Sequence, residues 1–169
     1  MTIHDTHPFA DPDRDPPRRL RGRLGGAVSL WTAGGATGGP SRAGLTVSSL
    51  MLANGEPARV LALLDPDADL TDALLDTGRA VVHLLSWHHR DLAEAFAGLA
   101  PAPGGPFRLS AFADSSYGPV LGDATSRAFV GLESSVEVGW SLLVTCVLDE
   151  VVIGDDDAPL RHHRGRYHR

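Results

Sequence analysis

Small hydroxyl side chains cluster at residues 43–50, AGLTVSSL, just before an abrupt Asn-Gly pair. Thr46, Ser48 and Ser49 permit three chemical interpretations: plain polarity at a strand edge, a nucleophilic serine, or a cradle for a phosphorylated cofactor. A nucleophile is disfavoured because no Gly-x-Ser-x-Gly elbow surrounds either serine. If the segment is a strand, its side chains alternate, so Thr46 and Ser48 share one face and Ser49 points to the other.

Histidines form a second set of residues that could do chemistry. His88-His89 and the C-terminal His162-His163, with His168, are of a type that binds metals. Adjacent histidines on a helix point about 100° apart, so we expect His88 and His89 not to face one ion. No cysteine partner or spaced carboxylate pattern accompanies these residues. The sequence therefore predicts no metal site.

The composition limits the class of protein and its partners. With 169 residues and 43% hydrophobic content, the chain is long enough for one domain with its own core. All fifteen basic residues are Arg and the net charge is -6, which opposes general nucleic-acid binding. The single cysteine, Cys146, lies in an apolar run and is predicted to be a buried, inert thiol.

Location is predicted from what the sequence lacks. A lone thiol cannot form an internal disulfide, which fits a reducing compartment. Residues 1–20 have no apolar signal region, and no apolar stretch approaches the roughly 18 residues that span a bilayer. We therefore expect a soluble, cytoplasmic protein with no membrane partner.

Hydrophobic alternation and turn signals predict about seven strands. They cover residues 27–32, 42–52, 59–64, 79–85, 127–138 and 141–153, with a short basic strand or tail at 161–169. The first strand alternates apolar and polar residues, as a half-buried strand does. Asn54-Gly55 favours a hairpin through its φ > 0 turn chemistry. The first three strands are therefore predicted to form a meander.

Short helices are predicted at three places, residues 16–24, 65–77 and 87–98. The first follows Asp15, the second ends at Gly78, and the third turns Leu92, Ala93 and Phe96 inward. Residues 1–15 are rich in Pro and Asp and are predicted to be a flexible arm, which leaves residues 16–169 as the domain. These elements predict an antiparallel barrel with helices on one side.

Five segments, taken in order, resemble the flavin reductase-like family. They are GLTVSSL (44–50), RVLALL (59–64), GRAVVHLL (78–85), LAEAFAG (92–98) and HRGRY (163–167). Each motif alone is weak, but their order and spacing are fairly specific for the fold. The resemblance extends over residues 26–167. It implies a mainly β fold, a split antiparallel β-barrel that binds FMN, with two or three short helices, and usually a homodimer.

The resemblance also implies where the flavin binds. Small hydroxyls and free backbone N–H groups allow a planar ring and a ribityl phosphate to lie against a strand end. The implied cofactor-binding residues are Thr46, Val47, Ser48, Ser49, Leu64, Asp65, Asp69, Leu70, Thr71, His163 and Arg166. Trp140 and Ser141 lie on the implied nicotinamide side, where Trp140 would stack on a ring or pack at a dimer interface.

Three departures from the family pattern affect this site. The family has a Ser/Thr-rich turn before the helix that follows the third strand, where N–H groups favour a phosphate. Here that turn reads DPDADLT, so carboxylates occupy it, and Arg42 and Arg79 are candidates to compensate. Gly139-Trp140-Ser141 stands in place of Gly-Asp-His, and His83 in place of a strand Asn.

The function implied is NAD(P)H-dependent reduction of a flavin. FMN is the expected flavin, with FAD or riboflavin as alternatives, and NADH or NADPH is the co-substrate. The flavin carries the hydride chemistry, so no catalytic residue is required of the protein. Reduced flavin would pass to a partner monooxygenase or a local acceptor. The alternatives are a flavin- or ligand-binding dimer without reductase activity, and a structural partner protein that needs no cofactor.

Overall fold

The computed structural model describes residues 16–155 and 158–169. The predicted arm, residues 1–15, lies outside the described residues. The helices in the described ranges are α1 (Pro16–Leu24), α2 (Asp69–Thr77) and α3 (Arg90–Phe96). The strands are β1 (Gly26–Ala27), β2 (Ser29–Ala33), β3 (Ala43–Val47), β4 (Leu50–Ala53), β5 (Arg59–Leu64), β6 (Arg79–Leu84), β7 (Phe112–Ala113), β8 (Val120–Leu121), β9 (Arg127–Val138), β10 (Ser141–Val152), β11 (Arg161–His163) and β12 (Arg166–His168).

A seven-stranded antiparallel sheet forms the body of the fold, in the order β3-β2-β6-β9-β10-β5-β4. Its two edge strands, β3 and β4, are separated in the chain by Ser48 and Ser49 alone. Because two residues span only about 7 Å, the sheet must curl until its edges meet. The backbone N–H of Leu63 on β5 then donates to the carbonyl of Ser49 at 3.0 Å. This arrangement confirms the mainly β, split-barrel prediction.

The predicted single strand 42–52 and the meander built on it are wrong. The strand breaks at Ser48-Ser49, after which β4 pairs with β5 on the opposite edge of the sheet from β3. Two small polar residues inside a β-rich run also occur within single strands, so the sequence pattern does not reveal the break. The β4–β5 hairpin exists, but Gly55 does not adopt a positive φ, and the five-residue connection contains a cis Glu56-Pro57 peptide.

Strand β2 is buried along its whole length, so the prediction of a half-buried strand is also wrong. One core cluster, around Trp31, Leu64 and Leu74, fills the inside of the curled sheet against α2. A second cluster, which includes Leu30 and Phe96, lies under α3 on the other face. Helices therefore cover both sides of β2, and its polar side chains need partners. The Ser29 hydroxyl donates to the Val47 carbonyl at 2.7 Å.

The remaining helix and hairpin predictions are confirmed with adjusted bounds. Helix α2 ends at Gly78, which has φ +69° and donates its N–H to the Leu74 carbonyl at 2.8 Å. A 3₁₀ turn, Trp87–His89, precedes α3. Strands β9 and β10 form the predicted long hairpin. The basic C-terminal segment is a hairpin, β11–β12, that pairs with β1.

No helix in the described part of the chain is long and apolar enough to cross a membrane. Cys146 is fully buried on β10, and burial raises the pKa of its thiol to about 12. The predicted inert thiol is therefore confirmed, because the thiolate is the reactive form and it is scarce at neutral pH.

Candidate functional site

An open cleft of about 650 Å³ lies at the point where the sheet closes. Ser48 and Ser49 form one wall, and helix α1 and the β11–β12 turn form the others. The lining residues are Arg18, Arg19, Arg21, Gly22, Arg23, Leu24, Gly25, Ser48, Ser49, His162, Arg164 and Gly165. The cleft is thus built from three segments that are far apart in the sequence.

Glycines allow these three segments to approach one another. A Cβ on Gly26 would lie 3.2 Å from the Ser48 carbonyl oxygen, and one on Gly25 would lie 3.4 Å from the His162 carbonyl oxygen. Gly25 also has φ +64°, a conformation that favours glycine. The Arg164 N–H donates to the Gly22 carbonyl at 2.8 Å and fastens the C-terminal turn to α1.

The two serines differ in what their hydroxyls can do. The Ser49 hydroxyl donates to the Leu63 carbonyl at 2.9 Å and so fastens the link between the two edge strands to β5. Within the described part of the chain, the partly exposed Ser48 hydroxyl has no hydrogen-bond partner. Ser48 is therefore available to a ligand in the cleft, whereas Ser49 contributes to the closure of the barrel.

Positive charge dominates the cleft. Five arginines line it, which is one third of the arginines in a chain of net charge -6. In the ranges that the structure describes, these five form no ion pair. Burial, together with the charge of Arg21, lowers the pKa of His162. The cleft is therefore suited to an anionic ligand.

These arginines were not among the predicted site residues. The signal was present in the runs PPRRLRGRL at 16–24 and RHHRGRYHR at 161–169, which sequence reasoning assigned only to a helix and a strand or tail. Because nothing in the sequence shows that the two runs meet, their joint role emerges only when the β1–β11 pairing brings them together.

Of the other predicted residues on this strand, Thr46 and Val47 turn away from the cleft. The Thr46 hydroxyl donates to the Ala93 carbonyl of α3 at 2.7 Å. Val47 is buried and its carbonyl accepts from Ser29. Leu64 is buried in the first core cluster. The predicted His163 and Arg166 are exposed and flank the Arg164-Gly165 turn.

The predicted turn before α2 does not line the cleft. Leu70 is fully buried, and the Thr71 hydroxyl donates to the Asp65 carbonyl at 2.6 Å. The Asp67 N–H donates to a carboxylate oxygen of Asp65 at 2.9 Å. Asp65, Asp67 and Asp69 are exposed, so the α2 N-terminus presents negative charge to solvent.

The two arginines predicted to compensate for these carboxylates are engaged elsewhere. Arg42 pairs with Asp114 at 2.6 Å. The Arg79 guanidinium lies over the Tyr117 ring, 5.2 Å from its centroid. On the predicted nicotinamide side, Trp140 is 89% exposed at the tip of the β9–β10 hairpin, next to Ser141.

A separate group of possible metal ligands joins the turn Trp87–His89 to Asp123. His88 Nε2 and His89 Nε2 each lie 3.0 Å from a carboxylate oxygen of Asp123. The expectation that adjacent histidines diverge is therefore wrong here, and their ring centroids are 3.8 Å apart. His89 Nδ1 accepts from the Ser86 N–H, which leaves the proton on Nε2. This tautomer suits contact with Asp123 better than metal ligation.

The charges of this group act on one another. Burial lowers the pKa of His89, although the Asp123 carboxylate opposes the shift. Burial raises the pKa of Asp123, but hydrogen bonds and charge from His89 and His88 outweigh it and leave that pKa below its usual value. Asp123 is therefore ionised at neutral pH and holds the 3₁₀ turn.

Comparison with known proteins places this geometry in context. The family model described as "Flavin reductase like domain" matches residues 21–169. The chain is 27% identical over 156 residues to an FMN reductase (NADH) of Agrobacterium fabrum. The aligned region covers 89% of this chain and 84% of that protein. It is 23% identical to the reductase component of a 4-hydroxyphenylacetate 3-monooxygenase of Pseudomonas aeruginosa, over 90% and 89% of the two chains.

The fold comparison agrees with the sequence comparison. The solved NADH:FAD oxidoreductase of Streptomyces globisporus superposes with a TM-score of 0.80 at 22% identity and covers 94% of each chain. At this identity the likeness concerns the fold. It extends over nearly the entire chain.

Proposed function

The chain belongs to the flavin reductase like domain family, and on that premise we propose that it is an NADH-dependent flavin reductase that binds its flavin in the Ser48-Ser49 cleft. The similarity to an FMN reductase (NADH) supports FMN as the flavin and NADH as the co-substrate. The observation that carries the proposal is the break at Ser48, which lines a cleft rich in arginines and whose hydroxyl has no partner among the described residues.

The residues of the cleft fit such a cofactor. Gly25 and Gly165 line the cleft and place no side chain in it, so a flat ring can approach the backbone there. The Ser48 hydroxyl can donate a hydrogen bond to a polar ring edge. The guanidinium groups offset the negative charge of both nucleotides. When bound, the flavin supplies the hydride chemistry, accepting hydride from NADH and passing electrons on.

The electron acceptor is proposed from a relative. The Pseudomonas aeruginosa protein is named as the reductase component of a monooxygenase. We infer that reduced flavin from this chain likewise serves an oxygenase partner. The open form of the cleft supports this role, because a flavin that is handed on must be able to leave.

A first test measures activity and the role of Ser48 together. Wild-type protein is expected to oxidise NADH in the presence of FMN, observed as loss of NADH absorbance. Replacing Ser48 with Ala is expected to weaken FMN binding about three- to tenfold, the value of one lost hydrogen bond, and to leave the melting temperature unchanged.

Ser41→Ala is the matched control, since Ser41 is exposed in the loop before β3 and does not line the cleft. It should leave FMN binding as in the wild type. Flavin binding with no NADH oxidation would favour a binding protein without reductase activity. Equal FMN affinity of wild type and Ser48→Ala would place the flavin away from Ser48.

We also propose that the protein is a homodimer. Leu63, Leu143 and Val136 are cross-strand neighbours on β5, β10 and β9 and so share one face of the sheet. Val136 is 57% exposed, and Met51, on the same face of β4, is 66% exposed. Such an exposed apolar face is typical of a surface that another protein covers. Leu63 also bonds to Ser49, so a second copy here would border the cleft.

A test of the dimer uses charge on this face. Wild type is expected to show twice the chain mass in light scattering, and Leu63→Glu/Val136→Glu is expected to show the mass of one chain, because two charges would be desolvated in the interface. Leu99→Glu, at an exposed apolar residue just after α3, is the control and should stay dimeric. A monomeric wild type at micromolar concentration would refute the proposal.

A further inference from the structure

We propose that the arginines of α1, together with Arg164, bind the phosphate of the flavin nucleotide. The inference rests on the proposed function and adds a location to it: the anion site lies on the α1 wall of the cleft and not at the N-terminus of α2. It is specific to this chain, because it follows from where its own arginines and carboxylates are placed.

The wall of the cleft formed by α1 and the C-terminal turn is positively charged. Arg18, Arg19, Arg21 and Arg23 all lie on α1 and all line the cleft, and Arg164 faces them from the C-terminal turn. No carboxylate is among the lining residues that the structure describes. Guanidinium groups bind phosphate oxygens through paired, charge-assisted hydrogen bonds. The wall therefore offers the donors that a phosphate dianion needs.

The usual alternative position is unsuitable in this chain. A helix N-terminus attracts phosphate through free N–H groups and its dipole. At α2, however, Asp65, Asp67 and Asp69 are exposed around that end, and the Asp67 N–H is already bound to Asp65. A dianion placed there would be repelled by three carboxylates, whereas the arginine wall would attract it.

Arg164 is held in place by the backbone. It is the only non-glycine residue with positive φ in the part of the chain that the structure describes, at +51°. Arg164-Gly165 forms the two-residue turn of β11–β12, a position at which Asn is preferred. The Arg164 N–H also donates to Gly22 of α1. The backbone of the turn is therefore fixed beside α1, and it places the Arg164 side chain at the mouth of the cleft.

The experiment compares flavins with and without phosphate. Binding of FMN, FAD and riboflavin is measured by quenching of flavin fluorescence for wild type and for Arg21→Gln/Arg164→Gln. FMN or FAD affinity is expected to fall at least tenfold in the double variant, while riboflavin affinity changes less than twofold. A loss of affinity for FMN alone, or for FAD alone, supports the assignment and identifies which of the two nucleotides binds in the cleft.

Two control variants isolate the position of the phosphate. Arg108→Gln removes a charge outside the cleft lining and should leave all three affinities unchanged. Asp67→Asn/Asp69→Asn should also change FMN affinity less than twofold, since the phosphate lies elsewhere. Unchanged riboflavin binding in each variant shows that the fold is intact.

Contrary outcomes are separable. Equal affinity of the wild type for FMN and riboflavin, or an equal loss of both in Arg21→Gln/Arg164→Gln, overturns the phosphate assignment alone. A gain of FMN affinity in Asp67→Asn/Asp69→Asn, without loss in the arginine variant, moves the phosphate to α2 and also overturns it. Failure of the wild type to bind any of the three flavins overturns the proposed function, and the phosphate assignment with it.

Discussion

Replacing His83 with Leu is expected to lower the free energy of unfolding by roughly 2–6 kcal/mol, because it leaves two buried backbone groups without the ring to which they bond. His83 Nδ1 lies 3.0 Å from the Leu30 carbonyl, and the Leu121 N–H donates to Nε2 at 3.0 Å. Since Nε2 accepts, the proton is on Nδ1. The ring thus connects β2, β6 and β8 at a site with no access to solvent.

The same residue makes stability depend on pH. Burial lowers the pKa of His83 from 6.5 to about 4, whereas the unfolded chain keeps the ordinary value. The unfolded state therefore binds more protons in this window, so stability is fully present above about pH 6.5 and falls as the pH drops toward 4, by roughly 3 kcal/mol in total. Burial also lowers the pKa of His89 and His162, which act in the same direction.

Urea unfolding at about pH 7 and about pH 4.5 measures both effects. The wild type should lose stability between the two, and His83→Leu should lose less, because its largest buried titrating group is gone. His88→Leu is the control: its ring is 60% exposed, so its removal should leave most of the pH dependence in place. An unchanged pH slope in His83→Leu would show that other groups control it.

The second large effect is expected at Gly44 on β3. A Cβ at this position would lie 2.5 Å from Phe96 Cε1 and 2.7 Å from Phe96 Cδ1. The ring of Phe96 cannot retreat, because it packs edge-on against Phe107 and Phe112, with centroids 4.9 and 6.0 Å away. Gly44→Val is therefore expected to cost about 3 kcal/mol through overpacking, or about 6–12 °C in melting temperature.

Gly39→Ala is the control for added side-chain volume, since a Cβ there would meet its nearest atom at 3.5 Å, an ordinary contact. Its melting temperature should stay close to that of the wild type. In Gly44→Val, the strain should also weaken FMN binding, because β3 and α3 share the Thr46–Ala93 hydrogen bond just before Ser48. A wild-type melting temperature in Gly44→Val would mean that the aromatic cluster can rearrange.

Local features of the chain were predictable from sequence. Helix α2 and its end at Gly78 follow from the spacing of Leu70 and Leu74 and from the need for a residue that tolerates positive φ. The β9–β10 hairpin follows from two long β-rich runs joined at Gly139. The hydroxyl cluster can be read directly from residues 43–50, and the family resemblance rests on five short motifs in a fixed order. In each case the cause lies within a few residues.

The break at Ser48-Ser49 and the two-sided burial of β2 were decided by the tertiary structure. Residues 42–52 form one β-rich run in which two serines alone do not mark a change of strand, so only the curl of the seven-stranded sheet shows that β3 and β4 are opposite edges. Ser29 and Thr32 read as exposed polar positions, but the fold covers both: the Ser29 hydroxyl donates to the Val47 carbonyl on β3, and the Thr32 hydroxyl donates to the Pro119 carbonyl. The hydrophobic pattern of a sequence shows which side chains are polar and which are apolar. It does not show which other segments of the chain will cover them.

The charge of the candidate site was also decided in three dimensions. The sequence by itself determined that the α2 turn is acidic and that arginines are concentrated near residue 20 and at the C-terminus. It could not determine that the two basic runs meet beside Ser48, because their encounter depends on β1 pairing with β11 across more than 130 residues of chain. Electrostatic attraction depends on distance in space, which chain folding sets and residue order does not.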